Sequence, residues 1–230
     1  FIKIIGHCIV MNNYNKELIL KINPKANIIS NFHPIYEIPY SDNSNNNYKA
    51  DLNIKTEKTI LFFGLIREYK GLDLLINAIA LSRNKIKDLK VLVVGENYES
   101  LEKYHEMIRA NNMEDSFIFI NYFVDKDDIK KYFLSSELVV LPYKSASQSG
   151  VLSLAYNFNR PVLITDVGGL SDYVSDKKSG FIVEPNPEHI SKKINIFFDE
   201  NLFEMMSNFI KDNKKIFSWE SFEKKLKLYE

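Results

Sequence analysis

Short runs of apolar residues alternate with longer segments of helical periodicity from Thr59 onward. The runs are rich in β-branched and aromatic residues and have no polar face. Strands of this kind are buried on both sides, as in a parallel sheet that helices cover on both faces. The alternation therefore predicts an α/β protein with a doubly wound parallel sheet and right-handed crossovers. The predicted strands are 60–63, 91–94, 117–120, 138–141, 161–164 and 181–183, and the helices between them are 72–81, 101–110, 128–134 and 151–158.

The segment that precedes this pattern is too small to form a closed core by itself. Residues 1–40 predict a strand, a helix and a strand. Because the chain begins with Phe1 instead of Met, we expect the sequence to be a fragment and residues 1–40 to be the remnant of an N-terminal domain. The polar, asparagine-rich stretch 41–58 predicts a linker between this remnant and a domain at 59–215. The three elements predicted in the remnant are 2–10, 16–22 and 26–30.

Helical periodicity continues after the last predicted strand. Three helices are predicted, and the last of them has a clear start signal. Ser218 precedes Trp219-Glu220-Ser221, which is typical of a serine that caps a helix. The region after residue 183 is therefore expected to be helical, with helices at 188–198, 202–213 and 218–229.

The amino-acid composition argues against several classes of protein and several kinds of site. Lys and Arg together number 30, and so do Asp and Glu, so the formal net charge is zero. This balance argues against a nucleic-acid binder that relies on bulk electrostatics. Cys8 is the single cysteine, which excludes an internal disulfide and a cysteine-rich metal site, and a reducing, cytoplasmic setting follows as the default. No apolar run approaches the length of a membrane span, and the four histidines show no metal-ligand spacing.

A loop of small residues connects the predicted strand 138–141 to an apolar helix. The loop runs from Ser145 through Ser147, Gln148 and Ser149 to Gly150. Unpaired backbone N–H groups and the positive end of the helix dipole make such a loop an anion site, most naturally for phosphate. The alternative is that Ser147 and Ser149 only cap the helix, and the sequence leaves both interpretations open.

Several phosphate-binding and catalytic motifs are absent. The chain has no GxxxxGK[ST], no GxGxxG after the first strand of the regular domain, and no GxSxG. A P-loop ATPase, the usual nicotinamide or flavin site, and a sugar-nucleotide epimerase are therefore unsupported. Glu96, at the end of a predicted strand, has the place of a ribose-binding acid, but we interpret it as a solvated loop residue.

Two cations follow the first strand of the regular domain. Arg67 and Lys70 fall in the first βα loop, on the same edge of the predicted sheet as the loop of Ser147 to Gly150. Two cations that face a helix N-terminus can bind a diphosphate and stabilise it as a leaving group without a metal. The alternative is an exposed pair on a polar loop with Glu68 as partner.

An ordered set of stretches resembles the C-terminal, donor-binding domain of the family-4 retaining glycosyltransferases, which have the GT-B fold. The resemblance covers residues 59–230. It implies that residues 1–40 are the end of the N-terminal acceptor domain and that residues 216–230 form the last helix, which crosses back onto that domain. The stretches that carry it are 60–78, 91–95, 136–143, 147–151, 160–169, 179–183 and 217–220.

The resemblance also implies a nucleotide-sugar donor, retention of anomeric configuration and no required metal. By position, Lys70 would bind the donor diphosphate. The arginine of the family directly follows the strand glycine Gly64, where this chain has Leu65, so Arg67 is the expected substitute. The family resemblance further implies that Gly150 and Val151 offer backbone N–H groups to the phosphates, and that Tyr122 and Phe123 lie near the nucleotide base.

One departure from the family concerns two glutamates that are separated by seven residues. Alignment on Gly150 places Ser147 at the first position and Ala155 at the second, and neither is a carboxylate. In the family the first glutamate contacts the donor sugar and the second the ribose. A subgroup has Ser/Thr-Gln-Ser-Gly-Val at this place, as this chain does, so we expect Ser147, Gln148 and Ser149 to make the donor contacts.

These features predict a retaining, hexosyl-type glycosyltransferase that uses a nucleoside diphosphate sugar, with Arg67 and Lys70 as the catalytic cations. The resemblance implies a glycan or lipid-linked acceptor, a role in cell-surface polysaccharide synthesis, and a cytoplasmic location that includes the inner face of the membrane. The fragment alone is expected to be weakly active or inactive, because catalysis needs the cleft between two domains. The alternative is a non-catalytic sugar-nucleotide-binding protein or a degenerate partner subunit.

Overall fold

The computed structural model describes residues 7–40, 48–98 and 100–227. The six strands and the four crossing helices predicted in the regular region are confirmed to within one or two residues at each end. The strands are β1 (His7–Val10), β2 (Asn27–Ser30), β3 (Thr59–Phe63), β4 (Lys90–Val94), β5 (Phe117–Ile120), β6 (Leu138–Leu141), β7 (Val162–Thr165) and β8 (Gly180–Val183). The helices are α1 (Asn13–Ile22), α2 (Tyr48–Asp51), α3 (Leu72–Ser82), α4 (Glu102–Ala110), α5 (Ile129–Leu134), α6 (Gly150–Asn157), α7 (Pro187–Asp199), α8 (Phe203–Asn213) and α9 (Trp219–Lys227).

Six strands form one parallel sheet in the order β5-β4-β3-β6-β7-β8. Ile60 in β3 pairs with Val91 of β4 on one side and with Leu138 of β6 on the other. The chain therefore builds the sheet outward from β3 in one direction and from β6 in the other. In such a sheet the loops that follow β3 and β6 diverge and leave a crevice at the carboxyl ends of the strands.

The core has two parts, one on each face of the sheet. Strand residues alternate between them, so that Ile60 and Phe62 belong to one cluster and Leu61 and Phe63 to the other. The first cluster also takes its members from α3, α4 and α7, and the second from α5 and α6. Burial on both faces explains why these strands are uniformly apolar and not alternating.

The N-terminal elements form a separate two-stranded sheet. β1 pairs in parallel with β2, and α1 connects them. The predicted strand 2–10 is confirmed for the described residues 7–10, whereas residues 1–6 lie outside the described part, as do residues 41–47 of the predicted linker. Residues 48–51 of that linker form the short helix α2.

The extended segment after β2 runs along α6. The backbone N–H of Tyr36 donates to the Ser153 hydroxyl at 2.7 Å. The side-chain amide of Asn157 accepts from the N–H of Ile38 at 3.3 Å and donates to its carbonyl at 3.0 Å. Polar side chains of α6 thus satisfy the backbone of this segment, which has no strand partner at these residues.

The last helix of the chain, α9, packs against the N-terminal part of the protein. Ser218 accepts from the N–H of Ser221 at 3.1 Å, which confirms the predicted cap of α9. This helix lies against the segment that leaves β2, because the Asn31 side chain donates to the Phe222 carbonyl at 3.0 Å and the Lys225 ammonium lies 5.2 Å from the centre of the Phe32 ring.

Across the described ranges, every helix is too short or too polar to cross a bilayer. The domain boundaries stay predictions.

Candidate active site

An open cavity of about 470 Å³ lies at the carboxyl ends of β3 and β6. Its walls come from the β3–α3 loop, from the β6–α6 loop and from the first turns of α6. This is the point of the sheet at which the strand order reverses, where ligands bind in doubly wound folds. The lining residues are Tyr36, Gly64, Leu65, Tyr69, Lys70, Tyr143, Ala146, Ser147, Gln148, Ser149, Gly150, Val151 and Leu154.

Lys70 supplies the positive side chain of this lining. It ends a short 3-10 turn, and Gly71 follows it with a φ of 71°. A Cβ at Gly71 would lie 1.9 Å from the Pro142 carbonyl oxygen, so only glycine lets the turn pack so closely on the end of β6. This close packing brings the Lys70 ammonium to 3.3 Å from the Tyr143 hydroxyl, to which it donates.

The Lys70 side chain is 8% exposed, which is unusual for a lysine. Burial, and to a smaller extent the neighbouring charge of Arg67, lower the pKa of Lys70 from 10.5 to about 8. An ammonium in this environment has lost much of its hydration. It therefore gains more from an anionic ligand than an exposed lysine does.

Arg67 stands apart from the cavity wall. Its side chain is exposed, and its guanidinium lies 5.2 Å from the centre of the Tyr98 ring. The Tyr98 hydroxyl in turn donates to Glu96 at 3.1 Å. Arg67 is close enough to Lys70 to lower its pKa, so the structure places the two predicted cations in one region, with Lys70 alone in the lining of the cavity.

The N-terminus of α6 points at the same cavity, and its backbone donors are unused. Ser149 occupies the N-cap position, but its hydroxyl makes no capping hydrogen bond. It pairs with the Tyr143 hydroxyl at 3.1 Å instead. The interpretation of Ser149 as a simple cap is therefore wrong. The first N–H groups of a helix have no intrahelical partner, so those of Gly150 and Val151 remain available to an anion.

Ser147 and Gln148 are exposed on the loop that leads into α6. The Ser147 carbonyl accepts from the side-chain amide of Asn12, at the start of α1, at 2.7 Å. Gly169 makes room for this contact, because a Cβ there would lie 2.3 Å from Cγ of Asn12. The N-terminal unit thus holds the backbone of the loop at the residue that precedes its exposed side chains.

Tyr122 and Phe123 lie on the loop after β5 and do not line the cavity. The Tyr122 ring is 53% exposed and the Phe123 ring 71% exposed. The Tyr122 hydroxyl pairs with that of Tyr132 at 2.7 Å, whereas most of the Phe123 side chain faces solvent. Both residues are at the carboxyl edge of the sheet. Their position beside the nucleotide base stays a prediction.

The two positions that the two-glutamate motif predicts have different surroundings in the structure. Ser147 is in the lining of the cavity, whereas Ala155 is fully buried in the core beneath α6. Leu154, one residue before Ala155, also lines the cavity. Neither predicted position carries a carboxylate, and the alignment on Gly150 stays a prediction.

The donors in the cavity suit an anion. The polar groups of the lining are an ammonium, hydroxyls, one side-chain amide and helix N–H groups, and no described lining residue is a carboxylate. Elsewhere in the part of the chain that the structure describes, no three His, Cys, Asp or Glu side chains come together as metal ligands. The arrangement can therefore hold a diphosphate or a similar anion.

Sequence reasoning missed three residues of the site. Tyr143 and Tyr36 line the cavity, and Asn12 fixes the loop from outside it. Tyr143 directly follows the strand-ending Pro142, and this position at the carboxyl end of a buried strand was a usable signal. Tyr36 and Asn12 reach the site only through the tertiary fold, and no local pattern marks them.

Comparison with known proteins places the chain in a family. Residues 44–216 match the model of "Glycosyl transferases group 1". An uncharacterized glycosyltransferase of Methanocaldococcus jannaschii is 26% identical over 185 residues, which are 77% of this chain and 46% of that protein. The chain therefore spans about half the length of this curated relative.

Solved structures share the fold. Anabaena HepE in complex with UDP superposes with a TM-score of 0.85 at 14% identity, over 97% of this chain and 63% of that one. The C-terminal domain of the group 1 glycosyl transferase LpcC from Francisella tularensis superposes with a TM-score of 0.66 at 22% identity, over 75% of this chain and 92% of that one. The sheet is that of the Rossmann-like C-terminal domain of GT-B enzymes, and the chain belongs to the group 1 glycosyl transferases.

Proposed function

We propose that the protein transfers a hexose-type sugar from a nucleoside diphosphate sugar to a glycan or lipid-linked acceptor, with retention of configuration. One observation carries the proposal: the buried Lys70 ammonium and the unused N–H groups at the start of α6 line the same open cavity. Together they offer a positive charge and directional donors to one diphosphate. We assign the protein to the family-4 subgroup with Ser147-Gln148-Ser149 in place of the first motif glutamate.

The reaction follows from the placement of charge. When the bond between the anomeric carbon and the diphosphate breaks, negative charge accumulates on the departing phosphate oxygen. Lys70, the N–H groups of Gly150 and Val151, and Arg67 after release from Tyr98 would stabilise that charge. The acceptor hydroxyl then bonds to the anomeric carbon on the face that the diphosphate leaves, and its proton goes to the departing phosphate. In this proposal no metal is required.

The absence of carboxylates at the two motif positions changes the donor contacts that we propose. Neither Ser147 nor Ala155 supplies a carboxylate, so sugar and ribose hydroxyls must find other partners. Ser147, Gln148 and Ser149 are the nearest polar side chains in the lining. We further propose a cytoplasmic role in cell-surface polysaccharide synthesis, where nucleotide sugars serve as donors.

Nucleotide binding is the first test, and UDP is the first probe because HepE was solved with it. Thermal unfolding of the purified protein with UDP, GDP, ADP, TDP and CDP should show stabilisation by one of them, since a ligand of the native state raises the free energy of unfolding by mass action. Lys70→Met should abolish that stabilisation. Lys144→Met is the matched control, because Lys144 follows the cavity residue Tyr143 but pairs with Asp73 at 2.8 Å.

Two results would overturn the donor site: no stabilisation by any nucleoside diphosphate, or a stabilisation that Lys70→Met leaves intact. Turnover separates the enzyme from the non-catalytic alternative, which the glycosyltransferase relatives do not favour. Slow hydrolysis of the matching nucleotide sugar, lost in Lys70→Met, supports transfer chemistry. Tight binding without any hydrolysis or transfer in the full-length protein would restore the binding-only alternative.

A further inference from the structure

Tyr143 occupies the position between the two anion-binding parts of the cavity. It follows Pro142 at the end of β6, and its side chain is 3% exposed. Its hydroxyl accepts from the Lys70 ammonium at 3.3 Å and pairs with the Ser149 hydroxyl at 3.1 Å. The buried Tyr143 hydroxyl oxygen therefore connects Lys70, in the β3–α3 loop, to Ser149, the N-cap residue of α6.

Ser149 behaves differently from the N-cap residues of two other helices in this protein. Asn12 accepts from the N–H of Asn15 at the start of α1, at 2.8 Å. Asn186 accepts from the N–H groups of Glu188 and His189 at the start of α7, at 2.8 and 3.2 Å. Ser149 has extended N-cap dihedrals, with φ −141° and ψ 118°, yet it makes no such bond. Its hydroxyl turns toward Tyr143 instead.

We propose that Tyr143 is a positioning residue for the donor diphosphate: its hydroxyl holds the Lys70 ammonium at the cavity wall and draws the Ser149 hydroxyl away from the N-terminus of α6. The inference rests on the proposed function. A serine at an N-cap normally takes up the N–H of the second or third helical residue, here Val151 or Leu152. With Ser149 diverted, those donors stay open for phosphate oxygens.

The surroundings of Tyr143 keep its ring in place. The Thr165 hydroxyl donates to the Tyr143 carbonyl at 2.6 Å. Gly71 packs on the preceding Pro142 carbonyl, as described above, and the Tyr69 ring meets the Tyr143 ring edge-on at 6.2 Å between centres. Because these contacts do not involve the hydroxyl, Tyr143→Phe should retain the packing and remove only the oxygen.

The first test is a double-mutant cycle for nucleotide affinity, measured by calorimetry with the nucleoside diphosphate that stabilises the wild type. Tyr143→Phe should weaken binding about tenfold, the size expected for the loss of a hydrogen bond to a charged group. In the wild type, Ser149→Ala should not raise affinity, because the Ser149 hydroxyl already pairs with Tyr143 and does not occupy the N-terminus of α6. In the Tyr143→Phe background it should raise affinity, because it removes the hydroxyl that now caps α6. Additive effects in the cycle would overturn the diversion of Ser149.

The second test is the pH dependence of the same affinity. The Tyr143 oxygen favours the charged form of Lys70, so its removal should move the loss of affinity at alkaline pH to a lower pH. Tyr156→Phe is the matched control, since Tyr156 is also a buried tyrosine and pairs with Ser179 at 2.7 Å. It should lower stability without moving the pH profile. An unchanged profile and affinity in Tyr143→Phe would overturn the inference, while loss of binding in Lys70→Met would still support the donor site.

Discussion

Lys70 is the residue at which the stability of the fold opposes the donor binding that we propose. A lysine normally keeps its ammonium in water, but this side chain is 8% exposed, and burial lowers its pKa to about 8. The fold therefore carries a charge that is more stable in the unfolded chain. A residue that serves only the fold would be apolar at this position.

Lys70→Met should raise the free energy of unfolding at pH 7 by about 1–3 kcal/mol, because it removes the desolvation of the ammonium. The gain should be constant below pH 8. It should shrink as the pH rises toward 10.5, because in that range the native lysine is already neutral while the unfolded one is still charged. Urea unfolding of both proteins from pH 6 to pH 10.5 measures the difference.

Lys144→Met is the control for a lysine whose charge stays partly hydrated. Its ion pair with Asp73 is about one-third exposed on both sides, and its loss should lower stability by less than about 1 kcal/mol. A Lys70→Met variant that is no more stable than the wild type at pH 7 would contradict the burial of a charged ammonium.

The two ends of helix α6 have different roles, one at the cavity and one in the packing of the fold. Its first turn faces the cavity, and its later turns carry the polar groups that hold the extended segment after β2. Asn157 makes the last of these contacts with both atoms of its amide. The backbone carbonyl of Asn157 also accepts from the Lys214 ammonium at 2.8 Å. The helix therefore joins the N-terminal segment to the C-terminal region.

Asn157→Ala should lower the free energy of unfolding by about 2 kcal/mol, because it leaves the buried N–H and carbonyl of Ile38 unpaired. Nucleotide affinity should stay close to the wild-type value. Chemical denaturation measures the first quantity and calorimetry the second. Asn213→Ala is the comparison, since Asn213 donates to the Phe209 carbonyl on an exposed surface. Equal losses in the two variants would show that the Ile38 contact contributes nothing specific.

At the scale of the whole molecule, hydrogen bonds join the N-terminal unit to loops of the six-stranded sheet. Besides the Asn12 contact, the side chain of Asp172 accepts from the N–H of Asn13 at 2.5 Å. The Tyr173 hydroxyl donates to the Met11 carbonyl at 2.5 Å and accepts from the N–H of His33 at 3.0 Å. The start of α1 is thus bound to the loop after β6, which lines the cavity, and to the loop after β7.

Asn12→Asp should loosen this junction without loss of the helix cap. The carboxylate can still accept from the N–H of Asn15, but it cannot donate to the Ser147 carbonyl. Hydrogen exchange of residues 145–150 should become faster, by about fivefold for a lost contact of about 1 kcal/mol. Asn186→Asp is the matched control, because Asn186 caps α7 by the same kind of bond. Unchanged exchange in residues 145–150 of Asn12→Asp would contradict a positioning role for this contact.

The sequence was sufficient for the sheet and for most of the cavity, and the physical reason is local. Strands such as β6 are buried on both faces, so their apolar runs are unambiguous, and Lys70 and Ser149 lie in the loops that follow two of these strands. The complete burial of Ala155 could not be predicted, because a difference of one residue turns a helix by about 100° and decides whether a side chain faces the core or the cavity. Asn12 could not be predicted, because its contact spans 135 positions in the chain.

The lowered pKa of Lys70 would couple the proposed donor binding to the uptake of a proton. Near pH 8 the empty site carries the ammonium only in part, whereas a bound diphosphate would favour the charged form of the amine. Binding of the diphosphate would then take up a fraction of a proton from the solvent, and its departure would return that proton. The occupancy of the proposed site would therefore depend on the pH of its surroundings.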